Sequence, residues 1–441
     1  MGLSMTRVRR TGLFLMLLSA GISILWGISL VRGVSYGMVD FRAVYYGARC
    51  LIQHGDPYQQ DEFLRVYQAE GGAFPSDPVQ ARLFRRAVPI CINLPASLFL
   101  VTPLAFLPWG PAQVLWMIFL SASIILAAFL MWDLAGNDAP AVALFLICIL
   151  LANSELLFAL GNTAGIAVSL CMIAVWCFLK ERFLLAGVLC LALSLAIKPH
   201  DAGLVWLFFL LAGGVHRKRA LQTLAVTVVL SLAAILWVSH AAPHWMPELR
   251  ANLSETLAHG DLNDPGPASI AFGHANMVID LQSAISIFRD DPRIYNPASY
   301  LVCGALLLVW SVRTLRSRFS LARAWLALGA VVPLAMLATY HRSYDAKLLL
   351  LTVPACAMLW AGGGAIGWIA LTANTAGMVL TGDIPSVILG IVARSMHLVP
   401  VGIFGKLMTV LLMRPASLVL LGMSIFYLWA YMRRDPDELR Q

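Results

Sequence analysis

The chain has 441 residues, of which 60% are hydrophobic and 12% are charged, and its formal net charge is +8. Soluble domains carry about twice that charged fraction, and stretches apolar enough to cross ~30 Å of hydrocarbon recur between Gly12 and Met432. The composition excludes a soluble globular protein, and the lack of strand-like alternation in these stretches excludes a membrane β-barrel. The sequence therefore predicts an all-α, polytopic membrane protein.

The first predicted span, 11–31, follows a short basic tail and has no small-residue cleavage site, so we interpret it as a retained helix. The polar segment of about 32–93 is the first of two long extracytoplasmic loops. In it, Phe41–His54 predicts a short helix lying at the membrane interface, and Asp61–Gln68 predicts another. Pro89–Pro108 contains four prolines, which favours a re-entrant or interfacial segment over a regular span.

The rest of the chain predicts further spans around a second long outer loop of about 240–297. They lie at 112–132, 139–158, 163–179, 183–197, 202–214, 220–239, 298–312, 321–338, 347–359, 366–380 and 416–432. The stretch 384–413 forms either two short spans or a re-entrant hairpin. The count is about 12 transmembrane helices, or fourteen if that stretch crosses twice, in a single integral-membrane domain covering 1–441.

Basic residues fall in short clusters between the apolar stretches, as is typical of cytoplasmic loops. A cytoplasmic N-terminus places every cluster inside, which predicts a multi-pass protein of the cell membrane with both termini cytoplasmic. The positive charge thus indicates the lipid bilayer and no nucleic acid. The clusters are Arg7, Arg9 and Arg10; Lys180 and Arg182; Arg217, Lys218 and Arg219; Arg313, Arg316 and Arg318; Arg433 and Arg434.

Cysteine and histidine spacing indicates no metal site and no cofactor. The eight cysteines include no CxxC pair, and the histidines of the second outer loop have no metal-ligand spacing. Cys50 and Cys91, near the two ends of the first outer loop, could form a disulfide, although the pattern favours free thiols.

The same topology collects unusual polar residues on the outer face, where ionisable groups are costly and usually functional. Four of these residues also have a simpler interpretation. Asp40 could cap a helix, Lys198 could be a snorkelling lysine, and His341 with Arg342 could anchor the interface. The candidates are Asp40, Arg42, Asn162, Lys198, His200, His341, Arg342 and Tyr344.

One carboxylate among cationic groups, next to lipid, suits a sugar carried on a polyprenyl phosphate. Cationic side chains would stabilise the leaving phosphate, and Asp40 would act as general base toward an acceptor hydroxyl. Attack from the face opposite the phosphate implies inversion. The other seven candidates would then bind the donor phosphate or the substrate.

Four stretches of this sequence resemble glycosyltransferase family 87 of the C superfamily of integral-membrane glycosyltransferases. They are VDFRAVYYGARCLIQHGDPY, NLPASLFLVTPLAFLPWGPAQVLW, LGNTAGIAVSL through AGVLCLALSLAIKPH, and HRSYDAKLLLL, which cover most of the chain to about Pro354. The resemblance implies a metal-independent, inverting hexosyltransferase of the cell envelope that uses polyprenyl-phosphate mannose, a mannosyltransferase. Asp40 matches the family's catalytic acid position, and His341 matches a region near the active site. Asn162 departs from the family by standing where glutamine is common.

Two other functions remain open at this level. A transporter or flippase of lipid-linked saccharides would predict charges deep in several spans, and a non-catalytic scaffold would tolerate replacement of Asp40. The acceptor, whether glycolipid, cell-wall glycan or protein, cannot be inferred from these residues, nor can a pentose or glucose donor be distinguished from mannose.

Overall fold

The computed structural model describes residues 2–32, 37–270, 272, 278–396 and 402–433. Within these residues the fold is all-helical and has no strand, apart from an isolated bridge between Val278 and Arg342. The predicted cytoplasmic tail after Arg433 lies outside the described residues. The helices are, in chain order, α1 (Gly2–Arg32), α2 (Val39–Ile52), α3 (Gln60–Ala69), α4 (Pro78–Ala87), α5 (Pro95–Ala105), α6 (Trp109–Ala135), α7 (Pro140–Ala152), α8 (Glu155–Leu160), α9 (Ala164–Leu179), α10 (Leu184–Ile197), α11 (Pro199–Leu211), α12 (Gly214–Ala241), α13 (Trp245–Thr256), α14 (Leu281–Ile285), α15 (Pro292–Arg316), α16 (Leu321–Ala338), a 3-10 helix (Asp345–Thr352), α17 (Val353–Ala361), α18 (Gly364–Leu380), α19 (Asp383–Ser395), α20 (Gly402–Met413) and α21 (Pro415–Arg433).

Six of the described helices are long and apolar enough to cross a membrane, namely α1, α6, α12, α15, α16 and α21. The pair α18 and α19, bent by 73°, adds a seventh if the two form one broken span. Helices α7, α9, α10 and α11 lie where spans were predicted but have 13 to 16 residues. That length rises about 20–24 Å, against ~30 Å of hydrocarbon. A helical membrane architecture is confirmed, and the count of twelve spans stays a prediction.

The span predicted at 139–158 is broken between α7 and α8. The Asn153 amide donates to the Ile149 carbonyl (2.9 Å) and the Ser154 hydroxyl donates to the Leu150 carbonyl (2.6 Å). Such side-chain bonds to the backbone compete with helix continuation. The Asn153 carbonyl accepts a hydrogen bond of 2.7 Å from Lys347 Nζ. Lys347, predicted to begin a span, is therefore buried among protein groups.

The first outer loop differs from its prediction, because α2 is enclosed by protein rather than lying at the interface. The sequence shows one apolar face, but aromatic side chains on several sides of α2 find partners. Phe41 stacks on Trp116 with ring centroids 4.6 Å apart, and the Tyr45 hydroxyl donates to the Leu107 carbonyl at 2.7 Å. Ten of the fourteen residues of α2 are buried, so this helix has a fixed position.

The two outer loops pack against each other through α13. Asn252 Nδ2 donates to the carbonyls of Tyr58 and Cys91, at 3.0 Å each. Cys91 and Cys50 are both buried and free, which confirms the preference for thiols. The first loop, which carries α2, is thus fastened to the second loop by buried hydrogen bonds.

A carboxyl pair lies at this contact and predicts pH-dependent stability. Burial and the Glu248 carboxyl raise the pKa of Asp56 from 3.8 to about 7, and Asp56 is only 6% exposed. Because the pKa of Asp56 is higher in the folded protein than in the unfolded chain, protonated Asp56 favours the folded state. This stabilisation is complete at a pH below the unfolded-state pKa and is lost as the pH rises through the folded-state pKa. We expect the stability of the wild type relative to Asp56→Asn to fall by ~1–2 kcal/mol between about pH 4 and pH 7.

Thermal unfolding of the full-length protein across this pH range measures the effect. Asp61→Asn, which alters an exposed carboxylate of α3, is the matched control and should parallel the wild type. Parallel profiles for Asp56→Asn and the wild type would contradict the prediction.

The ambiguous stretch 384–413 is occupied by α19 and α20, with 397–401 outside the described part of the chain. Asp383 begins α19 and is buried at the bend from α18. Its carboxylate accepts hydrogen bonds from Leu156 N (3.0 Å) and from Ser343 Oγ (2.9 Å). The bend therefore fastens the end of α18 to α8 and to the turn that follows α16.

Candidate active site

Asp40 lies in the first turn of α2, where the helix dipole favours a negative charge. The helix begins at Val39 after Met38, whose backbone is left-handed (φ 58°) and whose N–H donates to the Ala159 carbonyl at 2.9 Å. Met38 is the capping position, and no side chain caps the helix. The simpler interpretation of Asp40 as a helix cap is therefore wrong, and its carboxylate is available for another role.

Asn162 orients the Asp40 carboxylate. Its Nδ2 donates to Asp40 Oδ2 at 2.6 Å, while its Oδ1 accepts from Ala164 N at 2.7 Å. Because Oδ1 is engaged by the first turn of α9, the amide N–H group must face Asp40. Asn162 is buried, whereas Asp40 is partly exposed. The carboxylate is thus held by Asn162, in a residue that is only partly buried.

Gly161 sets the distance between this turn and α2. It has a left-handed backbone (φ +61°), and a Cβ at this position would lie 2.7 Å from Met38 Cε and 2.9 Å from Phe41 Cβ. Backbone strain and the clash act together, so we expect Gly161→Ala to lower the free energy of unfolding by about 1–3 kcal/mol. Gly203→Ala in α11 is the control, since its Cβ meets nothing within 4 Å. Equal melting temperatures for the two variants would refute this role of Gly161.

Lys198 lies between α10 and α11, where Pro199 starts the second helix. Its Nζ donates to Asp345 Oδ1 at 2.7 Å and lies 4.0 Å from Asp201 Oδ2. The ammonium group also lies over the Tyr344 ring, 5.0 Å from its centroid. Burial lowers the pKa of Lys198, but Asp345 and Asp201 outweigh that effect and hold it above its ordinary value. The amine is therefore positively charged.

Arg342 fastens the turn after α16 to the second outer loop. Its guanidinium donates to the Tyr340 hydroxyl, to the Leu262 carbonyl at 2.8 Å and to Asn263 Oδ1 at 3.1 Å. Its backbone N–H donates to Asp345 Oδ2 at 2.8 Å. Asp345 thus connects the Arg342 backbone to the Lys198 ammonium.

His341 is buried beside Asp201, with Nε2 3.3 Å from Asp201 Oδ1. Its Nδ1 lies 2.8 Å from the Thr339 carbonyl. His200, which is more exposed, has Nε2 3.8 Å from Asp201 Oδ1 and a ring centroid 5.0 Å from that of His341. Two segments far apart in sequence thus bring both predicted histidines to one carboxylate.

Arg42 does not join this network, contrary to its predicted grouping with the phosphate-binding residues. Its guanidinium lies 4.4 Å from the centroid of the Trp109 ring, and Nε donates to the Gly37 carbonyl at 3.3 Å. Arg42 and Asp40 are two residues apart on a helix, so their side chains point to different sides. Arg42 packs with the aromatic side chains that enclose α2.

The electrostatics of Asp40 depend on burial and on the two cations. Burial raises the pKa of the Asp40 carboxyl, while the hydrogen bond from Asn162 and the charges of Arg342 and Lys198 act in the opposite direction. The net shift is upward, which makes the carboxylate a stronger base. Asp40 therefore combines basicity with nearby positive charge.

Two acids of the network, Asp201 and Asp345, were not among the predicted site residues. Each follows a predicted cation by three residues, in the sequences Lys-Pro-His-Asp and Arg-Ser-Tyr-Asp. This repeated spacing at the start of a helix is a signal that could have identified them, because residues three apart lie on one helix face.

Two clusters of described residues could hold a metal ion. His200, Asp201 and His341 form one, and His259, Asp264 and Asp290 form the other; in each, the ligand atoms lie within 4.8 Å of one another. The second cluster lies in the outer loop of 240–297, where His259 Nδ1 is 3.1 Å from Asp264 Oδ2.

The sequence model of glycosyltransferase family 87 matches residues 92–339. The match covers more than half of the chain and includes Asn162, Lys198, His200 and Asp201, whereas Asp40 and His341 lie outside it. No curated protein and no solved structure matches the chain.

Proposed function

The chain belongs to glycosyltransferase family 87, and from this membership we propose that it moves a sugar from a polyprenyl-phosphate donor to a hydroxyl of a glycolipid or glycan acceptor. The proposed sugar is mannose, the proposed stereochemistry is inversion, and the proposed scheme is that of the C superfamily. The reaction takes place on the extracytoplasmic side of the cell membrane, in one domain of residues 1–441 with both termini cytoplasmic. Family membership favours this enzyme over a transporter.

The observation that carries the proposal is the environment of Asp40. Its carboxylate accepts a hydrogen bond from Asn162 and remains partly exposed. The charges of Arg342 and Lys198 act on it. A partly exposed base, influenced by fixed cations, is what a transfer between a hydroxyl and a lipid phosphate requires.

In this reaction the acceptor oxygen forms a bond to the anomeric carbon while the bond from that carbon to the phosphate oxygen breaks. The acceptor proton passes to Asp40, and the bonding electron pair leaves with the phosphate. The lipid phosphate gains one negative charge. Lys198 and Arg342 stabilise that charge, since fixed cations in a site with little water act strongly.

Direct transfer by the full-length protein in nanodiscs tests this function. Radiolabelled polyprenyl-phosphate mannose is supplied with a lipid extract of the host, and polyprenyl-phosphate glucose and a polyprenyl-phosphate pentose are run in parallel. We expect a labelled product whose anomeric configuration is opposite to that of the donor. Transfer from a nucleotide sugar alone, or retention of configuration, would refute the donor class or the inverting scheme respectively.

A further inference from the structure

We propose that His200, Asp201 and His341 form a binding site for one divalent transition-metal ion of the zinc class. Two imidazoles and one carboxylate are ligands that this class prefers, and three protein ligands leave a fourth position open. The site departs from the expectation of no metal, which rested on residue spacing along the chain and on the resemblance to the family. It is assembled from the start of α11 and from the turn after α16.

The distances among the ligand atoms suit such an ion. Asp201 Oδ1 lies 3.3 Å from His341 Nε2 and 3.8 Å from His200 Nε2. Ligands about 2.0–2.1 Å from a tetrahedral zinc ion are separated from each other by about 3.3 Å. These two distances lie within about 0.5 Å of that separation, and all three ligand atoms lie within 4.8 Å of one another.

Three polar atoms that face this gap make no well-aligned hydrogen bond to any residue the structure describes, although Asp201 Oδ1 and His341 Nε2 are 3.3 Å apart. Asp201 is 0% exposed, and both of its carboxylate oxygens lack a hydrogen-bond partner, as does His341 Nε2. Leaving a buried carboxylate without such partners is costly. Asp345 provides the contrast, because its two oxygens accept from Lys198 Nζ and Arg342 N.

The tautomer of His341 also fits a ligand. Its Nδ1 faces the Thr339 carbonyl at 2.8 Å, and a carbonyl can only accept, so Nδ1 carries a proton. In the neutral imidazole, Nε2 is then the nitrogen with a lone pair, and it lies 3.3 Å from Asp201 Oδ1. A metal-binding histidine usually donates its other N–H to a carbonyl or carboxylate in this way.

The charges around the gap indicate what the ion would do. Asp40, Asp201 and Asp345 are opposed by the permanent cations Lys198 and Arg342. Before His341 is counted, these five groups carry an excess of one negative charge near the place where an anionic phosphate should bind. A divalent ion reverses that excess and offers its open position to a phosphate oxygen. This role, unlike the binding of the ion, depends on the proposed function.

A proton on His341 is the competing occupant of the gap. A protonated His341 would form an ion pair with Asp201. The role of Asp201 would then be to position the imidazolium. The ion pair leaves Asp201 Oδ2 without a close partner among the described residues, since the Lys198 ammonium is 4.0 Å from Asp201 Oδ2 and nearer to Asp345. The metal accounts for all three side chains.

The second cluster supplies a matched control. Both oxygens of Asp264 already accept hydrogen bonds there, from Gly266 N and the Tyr295 hydroxyl on Oδ1 and from Gly260 N on Oδ2. His259→Gln removes a ligand from that cluster and leaves the proposed site unchanged.

The test measures metal binding by the full-length protein in detergent, after chelator treatment and without donor. Co²⁺ is titrated and followed by its ligand-field absorption, and Zn²⁺ is added in competition. We expect one Co²⁺ per chain, displaced by Zn²⁺. Asp201→Asn and His200→Gln should each weaken binding at least ~10-fold, while His259→Gln should bind as the wild type does. His200 is the more exposed ligand, so its variant serves if Asp201→Asn fails to fold.

Three outcomes overturn the site: no stoichiometric Co²⁺ or Zn²⁺ on the wild type, binding lost in His259→Gln, or binding unchanged in both Asp201→Asn and His200→Gln. Transfer from polyprenyl-phosphate mannose is measured separately. A protein that transfers the sugar but binds no metal refutes the site and keeps the function. A protein that binds the metal but transfers from no polyprenyl phosphate refutes the function and keeps the site.

Discussion

Replacing Asp40 by asparagine is expected to reduce sugar transfer by about 10²–10⁴-fold, the usual contribution of a general base. An amide has nearly the shape of a carboxylate and can still accept the hydrogen bond from Asn162, so the fold should be preserved. Only the ability to take the acceptor proton is lost. Turnover is measured with the donor and acceptor of the wild-type reaction, and thermal unfolding reports the fold.

Two comparisons separate this role from a structural one. Asp61→Asn, at an exposed position of α3, should leave turnover unchanged. In the wild type, transfer should decrease as the pH falls through the raised pKa of Asp40, because a base must be ionised to accept a proton. The residual activity of Asp40→Asn should not show this decrease at low pH. Turnover within tenfold of the wild type would rule out Asp40 as the base.

Replacing Lys198 by methionine is expected to weaken donor binding at least ~10-fold and to destabilise the fold. Its ammonium pairs with Asp345, which is 1% exposed. Removing one partner of a buried ion pair leaves an uncompensated charge and costs about 3–5 kcal/mol. The loss of stability would therefore obscure any loss of donor affinity in the single variant.

The double variant Lys198→Met, Asp345→Asn separates the two effects. The asparagine carries no charge, and its amide oxygen can still accept from Arg342 N. We expect most of the stability to return while donor affinity remains low. Donor binding is measured with a non-transferable polyprenyl-phosphate sugar analogue. Wild-type affinity in the double variant would show that Lys198 serves the fold and not the phosphate.

The helices that were predicted well are those whose ends are marked in the sequence. Helix α16 begins and ends where expected, at Leu321 and Ala338, and α9 and α10 begin within one residue of the prediction. Helices α12 and α15 extend beyond their apolar stretches. Hydropathy marks the part of a helix that is apolar, and backbone hydrogen bonding continues into polar turns.

The composition of the site was easier to predict than its connections. Topology alone grouped Asp40, Asn162, Lys198 and His341 on one face; in the structure Asn162 donates to Asp40 and the charge of Lys198 acts on it. The same topology also grouped Arg42 with them, although helical geometry separates it from Asp40. The pairing of Lys198 with Asp345 could not be predicted, because an ion pair between distant segments depends on how helices pack and leaves no local pattern.

The same pairing has a consequence for how the protein is made. Asp345 follows Lys198 by 147 residues, and ribosomes add about 5–20 residues per second. For roughly 7–30 s of every synthesis, a nascent chain therefore holds an ammonium group at the end of α10 whose nearest counter-ion has not yet been translated. During that time only Asp201, three residues further on, can oppose its charge. Chains arrested before Asp345 lack this ion pair, which is a physical difference between unfinished and finished molecules.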